Sequence, residues 1–176
     1  MKKKALLVID VQNAMVASRD LTEYLSKIDK MISIFKQNKD EIIFVKYVDF
    51  TNEDSIFYHT KKENTELHLD SEGYRVFVKS KPNAFSNKGL LKYLIDNEVE
   101  QIVIVGFNIE YSCMFTAIVA EHENFDVTLI EDACGTVNDD KIYEMPGLDV
   151  NDFVGTVLNW SECIKVLYYD EFIENS

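Results

Sequence analysis

The stretch from Gln101 to Ala117, Gln-Ile-Val-Ile-Val-Gly-Phe-Asn-Ile-Glu-Tyr-Ser-Cys-Met-Phe-Thr-Ala, constrains the chain more than any other. An unbroken apolar run, Ile102 to Val105, stops at Gly106 and a short turn. Ser112 and Cys113 then open a segment that reads as a helix to about His122. A run apolar at every position fits a strand covered on both faces, as in a parallel sheet with helices above and below. A buried strand feeding a helix amino end also gathers unpaired N–H groups and the positive end of the helix dipole. Such a place favours a thiolate or a developing oxyanion.

The rest of the chain repeats this pattern. Ala5–Ile9 is a second continuous apolar run, closing on Asp10 and followed by Val11, Gln12 and Asn13. From Leu21 to Phe35, apolar residues recur at helical spacing. Ile42–Val48 reads as a strand ending at Asp49, and Arg75–Val78 as a strand ending at Lys79. Between them, residues 50–74 are polar and aperiodic, and are expected to form a long functional loop. Leu90, Leu91, Leu94 and Ile95 mark a helix after Pro82. Val127–Ile130 reads as a fifth strand that stops at Glu131, Val150–Leu158 as a helix, and Cys163–Leu167 as a sixth strand.

Strands alternating with helices predict an α/β fold: a Rossmann-like, doubly wound, mostly parallel six-stranded sheet with helices on both faces, in one domain over residues 1–176. Such sheets bind ligands outside the carboxyl ends of their strands, near the point where strand order reverses. Asp10, Asp49, Lys79 and the 106–113 turn all fall at such ends.

Charge narrows the partners. A formal net charge of -13 lacks the basic footprint that a nucleic acid or an anionic membrane requires. No apolar run approaches the roughly 20 residues of a membrane span. Met1-Lys-Lys-Lys has the start of a secretion signal, but Ala5–Ile9 is too short for its apolar core. Three widely spaced cysteines then suggest reduced thiols in a cytoplasm.

Asp10 and Lys79 each have an ordinary explanation, as a helix cap and a solvated strand end. Together they would form an ion pair beside a thiol, the lysine lowering the thiol's pKa and the carboxylate accepting its proton. His59 and His68 lack zinc-site spacing. His122 reads as structural, and Cys134 and Cys163 as small buried hydrophobes.

With these motifs in hand, the chain resembles the isochorismatase-like cysteine hydrolase superfamily, which includes nicotinamidases, carbamoylsarcosine amidohydrolases and isochorismatases. Leu6–Asn13 is similar to the family opening, which makes Asp10 the acid/base. Val76–Phe85 is similar to the segment bearing the catalytic lysine, here Lys79. Ile104–Ala117 and Leu129–Cys134 are similar to the nucleophile region and the strand after it. Glu66-Leu-His resembles the metal-independent branch. Asp49-Phe-Thr has Thr51 where nicotinamidases place a metal-binding histidine. The resemblance therefore implies no metal, no cofactor and a substrate other than nicotinamide. It also implies a cis peptide at Phe107–Asn108, with the N–H groups of Asn108 and residue 112 as an oxyanion hole.

The departure falls on the nucleophile. Counting from Gly106 and back from Thr116, the family's cysteine position is occupied by Ser112, with Cys113 next to it. Three readings stand open: a cysteine-to-serine replacement that silences the site, a natural serine nucleophile, or a turn shifted so that Cys113 serves. A hydroxyl is a far weaker nucleophile than a thiolate, which favours the first. The expected reaction is hydrolysis of a small-molecule amide or related C–N bond, with Gln12, Phe57, Tyr58, His59 and Phe85 as candidate pocket residues. The rivals are a vinyl-ether hydrolase that uses Asp10 without a thiol, and a catalytically silent binding or assembly protein. The resemblance implies a homo-oligomer, a dimer or tetramer.

Overall fold

The fold was obtained as a computed structural model that describes residues 2–174. Met1, Asn175 and Ser176, the ends of the expected 1–176 domain, lie outside the described residues. Six strands form one sheet: β1 (Lys4–Ile9), β2 (Glu41–Tyr47), β3 (Arg75–Lys79), β4 (Gln101–Phe107), β5 (Asp126–Gly135) and β6 (Lys165–Leu167). Their order is β3-β2-β1-β4-β5-β6 and every pairing is parallel. The chain winds outward from β1 to β3, then crosses to β4 on the other side of β1, so the order reverses between β1 and β4.

Continuous apolar runs are needed at β1 and β4 because both strands are buried on both faces. Leu7, Ile9, Ile102 and Ile104 face one core, while Leu6, Val8, Val103 and Val105 face the other. Fully burying such a side chain contributes roughly 1.5–3 kcal/mol. The first core is closed by α4 (Lys88–Asp96), α5 (Met114–His122) and α6 (Val150–Trp160). The second is closed by α1 (Asn13–Ser18), α2 (Thr22–Asn38) and α7 (Tyr169–Glu174), with Ile28, Met31 and Phe35 giving α2 its apolar stripe.

Three boundaries differ from the sequence reading. β5 does not stop at Glu131 but runs to Gly135, through a register shift between Ile104↔Leu129 and Gly106↔Cys134. The acidic residues inside it are accommodated because Asp132 pairs with Lys27 and accepts the Tyr169 N–H at 2.8 Å. β6 is shorter than Cys163–Leu167, because Ser161 accepts the Cys163 N–H in a turn. The 50–74 segment is mostly turns, with one short helix, α3 (Lys62–Thr65).

Gly106 is where the two central strands close up. Its φ of +128° suits only glycine, and a Cβ there would collide with the backbone of Ile9.

Candidate active site

At the reversal point, three residues from distant parts of the chain meet. Asp10 follows β1 with φ 53°, in the left-handed region that non-glycine residues seldom adopt. Its N–H donates to the Val45 carbonyl at 2.8 Å, which holds that conformation. Lys79 ends the edge strand β3, yet its side chain is wholly buried. Its ammonium reaches past Tyr47, the last residue of β2, lying 5.2 Å from that ring's centroid. Ser112 lies in a wide π-type turn, Ile109–Cys113, between β4 and α5; such turns recur at functional sites.

The contacts are mutual. Lys79 Nζ donates to Asp10 Oδ2 at 2.6 Å and to Ser112 Oγ at 3.0 Å, and Ser112 Oγ donates to the same Asp10 Oδ2 at 2.5 Å. Lys79, Asp10 and Ser112 are only 2%, 5% and 7% exposed, so water screens these charges little. Burial pushes the Asp10 carboxyl above its ordinary value. The charge and hydrogen bond of Lys79, and the Ser112 hydroxyl, pull it only part of the way back. Asp10 Oδ1 is buried without a hydrogen-bond partner among the described residues. The nearby Tyr47 N–H is given instead to Gln12 Oε1 at 2.8 Å.

Two polar clamps hold this geometry. Thr116 Oγ1 on α5 accepts the Ala84 N–H at 3.0 Å, tying the segment after Lys79 to the helix behind Ser112. Glu110, also buried, accepts at Oε1 from Thr136 Oγ1 at 2.7 Å, Asn138 Nδ2 at 2.8 Å and the Tyr143 hydroxyl at 2.9 Å. Asn108 Oδ1 accepts the Val137 N–H at 3.1 Å. The peptide bond Phe107–Asn108 is cis. Together these bonds fix the turn that carries Ser112 to the segment after β5.

The other candidate residues are placed differently. Cys113 points into the first core, and burial pushes its thiol well above the ordinary value, with Cys134 and Asp10 adding to the shift. The Gln12 amide is consumed: Nε2 donates to the Tyr47 and Thr65 carbonyls, both at 2.9 Å, while Oε1 takes the Tyr47 N–H. It clamps α3 to the end of β2, with both amide protons committed. Phe85 stacks on Phe125, just ahead of β5 at the amino edge of the sheet. Phe57 packs edge-on against Tyr47, and the Tyr58 and His59 rings lie against each other with Phe50 over His59. Tyr47 and Glu110 are site residues that the sequence reading missed. Tyr47 carried a weak signal as the aromatic end of an apolar strand. Glu110 carried none.

A doubly wound parallel sheet with Lys79, Asp10 and Ser112 gathered at its switch point has the isochorismatase-like fold. The chain belongs to the isochorismatase family, whose isochorismatase domain model matches residues 4–162. It is 28% identical to YddQ, an uncharacterized isochorismatase family protein of Bacillus subtilis, over 78% of this chain and 82% of that protein. Its fold is similar to that of an isochorismatase-like hydrolase from Alkaliphilus metalliredigens, with TM-score 0.82, 16% identity and coverage of 99% and 98% of the two chains. It is also similar to the pyrazinamidase of Pyrococcus horikoshii solved in complex with zinc, with TM-score 0.76, 20% identity and coverage of 94% and 99%.

Among the described residues, the surroundings of Asp49 do not fit a zinc ion. Asp49 Oδ1 already accepts the Thr51 N–H, the Thr51 hydroxyl and the Asn52 N–H, at 2.8, 2.9 and 3.0 Å. Among the described residues, no group of three or more histidine, cysteine or acidic side chains is placed to hold a metal. No helix among them is long and apolar enough to cross a membrane.

Proposed function

We propose that this protein hydrolyses a small-molecule amide or related C–N bond, with the nucleophile carried at position 112. The observation that supports this most is the shared contact of Lys79 Nζ and the residue-112 side chain with one oxygen of Asp10. Asp10 takes the proton of the nucleophile, and the Lys79 ammonium stabilises the anion left behind. The nucleophile adds to the carbonyl carbon. Its oxyanion forms at the amino end of α5, where the N–H groups of Asn108 and residue 112 are the proposed donors. Asp10 returns the proton to the departing amine, the C–N bond breaks, and water hydrolyses the acyl intermediate.

A thiol suits this site better than the hydroxyl present, because a buried lysine can stabilise a thiolate at neutral pH whereas a serine alkoxide needs far more help. The Ser112→Cys variant is therefore expected to release ammonia or amine from a panel of small amides. Adding Asp10→Asn should remove about 100- to 10,000-fold of that rate. Full activity in the double variant would overturn the assignment. A second reading has one observation in its favour: burial raises the Asp10 carboxyl, and a protonated Asp10 could protonate a vinyl ether, water then adding to the cation. It predicts turnover by the Ser112 chain that Ser112→Ala leaves intact.

A further inference from the structure

Tyr47 closes β2 directly opposite Lys79 in the sheet register, so the two side chains leave the same face of neighbouring strands. Its backbone is pinned. Gln12 takes the Tyr47 N–H and donates to the Tyr47 carbonyl, while the Val48 N–H donates to the Lys79 carbonyl at 2.8 Å. Its ring is pinned as well, because Phe57 from the 50–74 segment meets it nearly perpendicularly, at 87° with centroids 5.7 Å apart. An ammonium has three protons to give. On Lys79, two go to Asp10 Oδ2 and Ser112 Oγ, and among the described residues no oxygen takes the third. What Nζ has instead is the Tyr47 ring, with its centroid 5.2 Å away. That lies within the ~6 Å over which the negative face of an aromatic ring attracts a cation.

We propose that Tyr47 is a positioning residue of this site: the face of its ring keeps the Lys79 ammonium against Asp10 and the residue-112 side chain while a proton moves between those two. The need for such a partner follows from the chemistry of the pair. Lys79 is wholly buried, and its one carboxylate, Asp10, becomes neutral once it accepts the nucleophile's proton. At that moment the ammonium must stay in place to meet the new anion at position 112. The face of the ring stays negative throughout the transfer, so it is the one partner of Lys79 that does not change. Burial, with the charges of Asp49 and Asp10, pushes the Tyr47 hydroxyl above its ordinary value, which keeps the ring a neutral phenol. The other titratable groups facing Lys79 are Asp10, from the end of β1, and the Cys113 thiol behind the turn, which burial also pushes up and so keeps neutral. An aliphatic side chain of similar size would fill the space of Tyr47 without attracting the cation. Because Phe57 braces the ring, the 50–74 segment reaches the lysine through Tyr47. The contact exists whatever the reaction; its part in the proton transfer rests on the reading of position 112 given above.

Two measurements on the whole chain test this, and the first needs no reaction. In the Ser112 chain, NMR of isotope-labelled lysine should show the side-chain methylene and ammonium protons of Lys79 displaced upfield by the ring current of Tyr47. Tyr47→Phe should keep that displacement and Tyr47→Leu should abolish it. Lys79 signals at the ordinary lysine position in the unaltered chain would overturn the proposal. The second follows alkylation of the Ser112→Cys thiol by iodoacetamide against pH, with Cys163→Ser removing the surface thiol. Tyr47→Leu should raise the midpoint by about one pH unit, a 10-fold loss of thiolate below it, and Tyr47→Phe should restore it. Where Tyr47→Leu does not fold, phenylalanine carrying one, two or three ring fluorines at position 47 keeps the shape while making the face less negative. The midpoint should then climb with each fluorine. A midpoint that neither leucine nor fluorine moves would overturn the proposal, because space-filling alone predicts that result. A Ser112→Cys thiol of ordinary reactivity with Tyr47 in place would instead refute position 112 as the nucleophile, and the NMR displacement would then decide whether the ring holds Lys79.

Discussion

Replacing Lys79 with methionine removes the charge that balances Asp10 while nearly preserving side-chain volume. In the native chain, Lys79 is the largest influence holding the buried carboxyl down against desolvation. Asp10 Oδ1 has no partner among the described residues to take over that role. Removing one member of a buried ion pair typically costs about 3–5 kcal/mol, because the remaining charge is uncompensated. The cost must depend on pH. The folded-state value of Asp10 already lies above its unfolded value, so its folded form binds a proton more readily than the unfolded chain. Its contribution to stability is therefore fully present below the unfolded value and is lost as pH rises through the folded one. Lys79→Met moves the folded value higher still and widens that window upward. Urea unfolding should then show a loss of about 3–5 kcal/mol at pH 8 that shrinks toward pH 5, by at most ~1.4 kcal/mol per pH unit. Adding Asp10→Asn should recover much of the loss at pH 8. A loss that stays constant from pH 5 to 8, or one below about 1 kcal/mol at pH 8, would refute the electrostatic account of the pair.

Other expectations concern the scaffold around the pair. Gly106→Ala places a methyl group against the Ile9 backbone at a φ that alanine does not tolerate, and should cost about 3 kcal/mol or more in urea unfolding or prevent soluble folding. Glu110→Ala strands the donors of Thr136, Asn138 and Tyr143, and should cost roughly 1–3 kcal/mol for each that stays dry; unchanged stability would mean that the clamp is not closed in solution. Among the thiols, Cys163 is exposed while Cys113 and Cys134 are buried. A disulfide reagent at neutral pH should therefore modify Cys163 at once and the other two only on unfolding. Fast native modification of Cys113 would contradict its place in the core.

The parts of this structure that were legible in the sequence share one physical cause. β1 and β4 are buried on both faces, so every position from Ala5 to Ile9 and from Ile102 to Val105 had to be apolar. α2 is long and half-exposed, so its stripe declares its period. Asp10, Lys79 and the 112 position were legible because a parallel sheet brings strand ends together whatever the intervening sequence does. What stayed hidden depends on partners far along the chain. Glu110 reads as a surface acid until residues 136–143 close over it, and Gln12 reads as a pocket residue until the Tyr47 and Thr65 carbonyls claim its amide. The continuation of β5 past Glu131 was masked by its acidic residues, which remain in a strand because Lys27 and the Tyr169 N–H meet Asp132 there. α1, only six residues long, is too short to show a period.

The central claim is that position 112 carries the nucleophile and that Asp10 and Lys79 activate it. The most direct test is intact-protein mass after brief iodoacetamide treatment at pH 6–7, comparing Ser112→Cys with the Ser112 chain, both carrying Cys163→Ser to remove the surface thiol. A thiol that Lys79 holds as thiolate should alkylate at least ~10-fold faster than an ordinary cysteine. The account predicts one rapid adduct, mapped to position 112, in the Ser112→Cys chain alone. Equal adducts on Cys113 in both chains, or no rapid adduct in either, would contradict it.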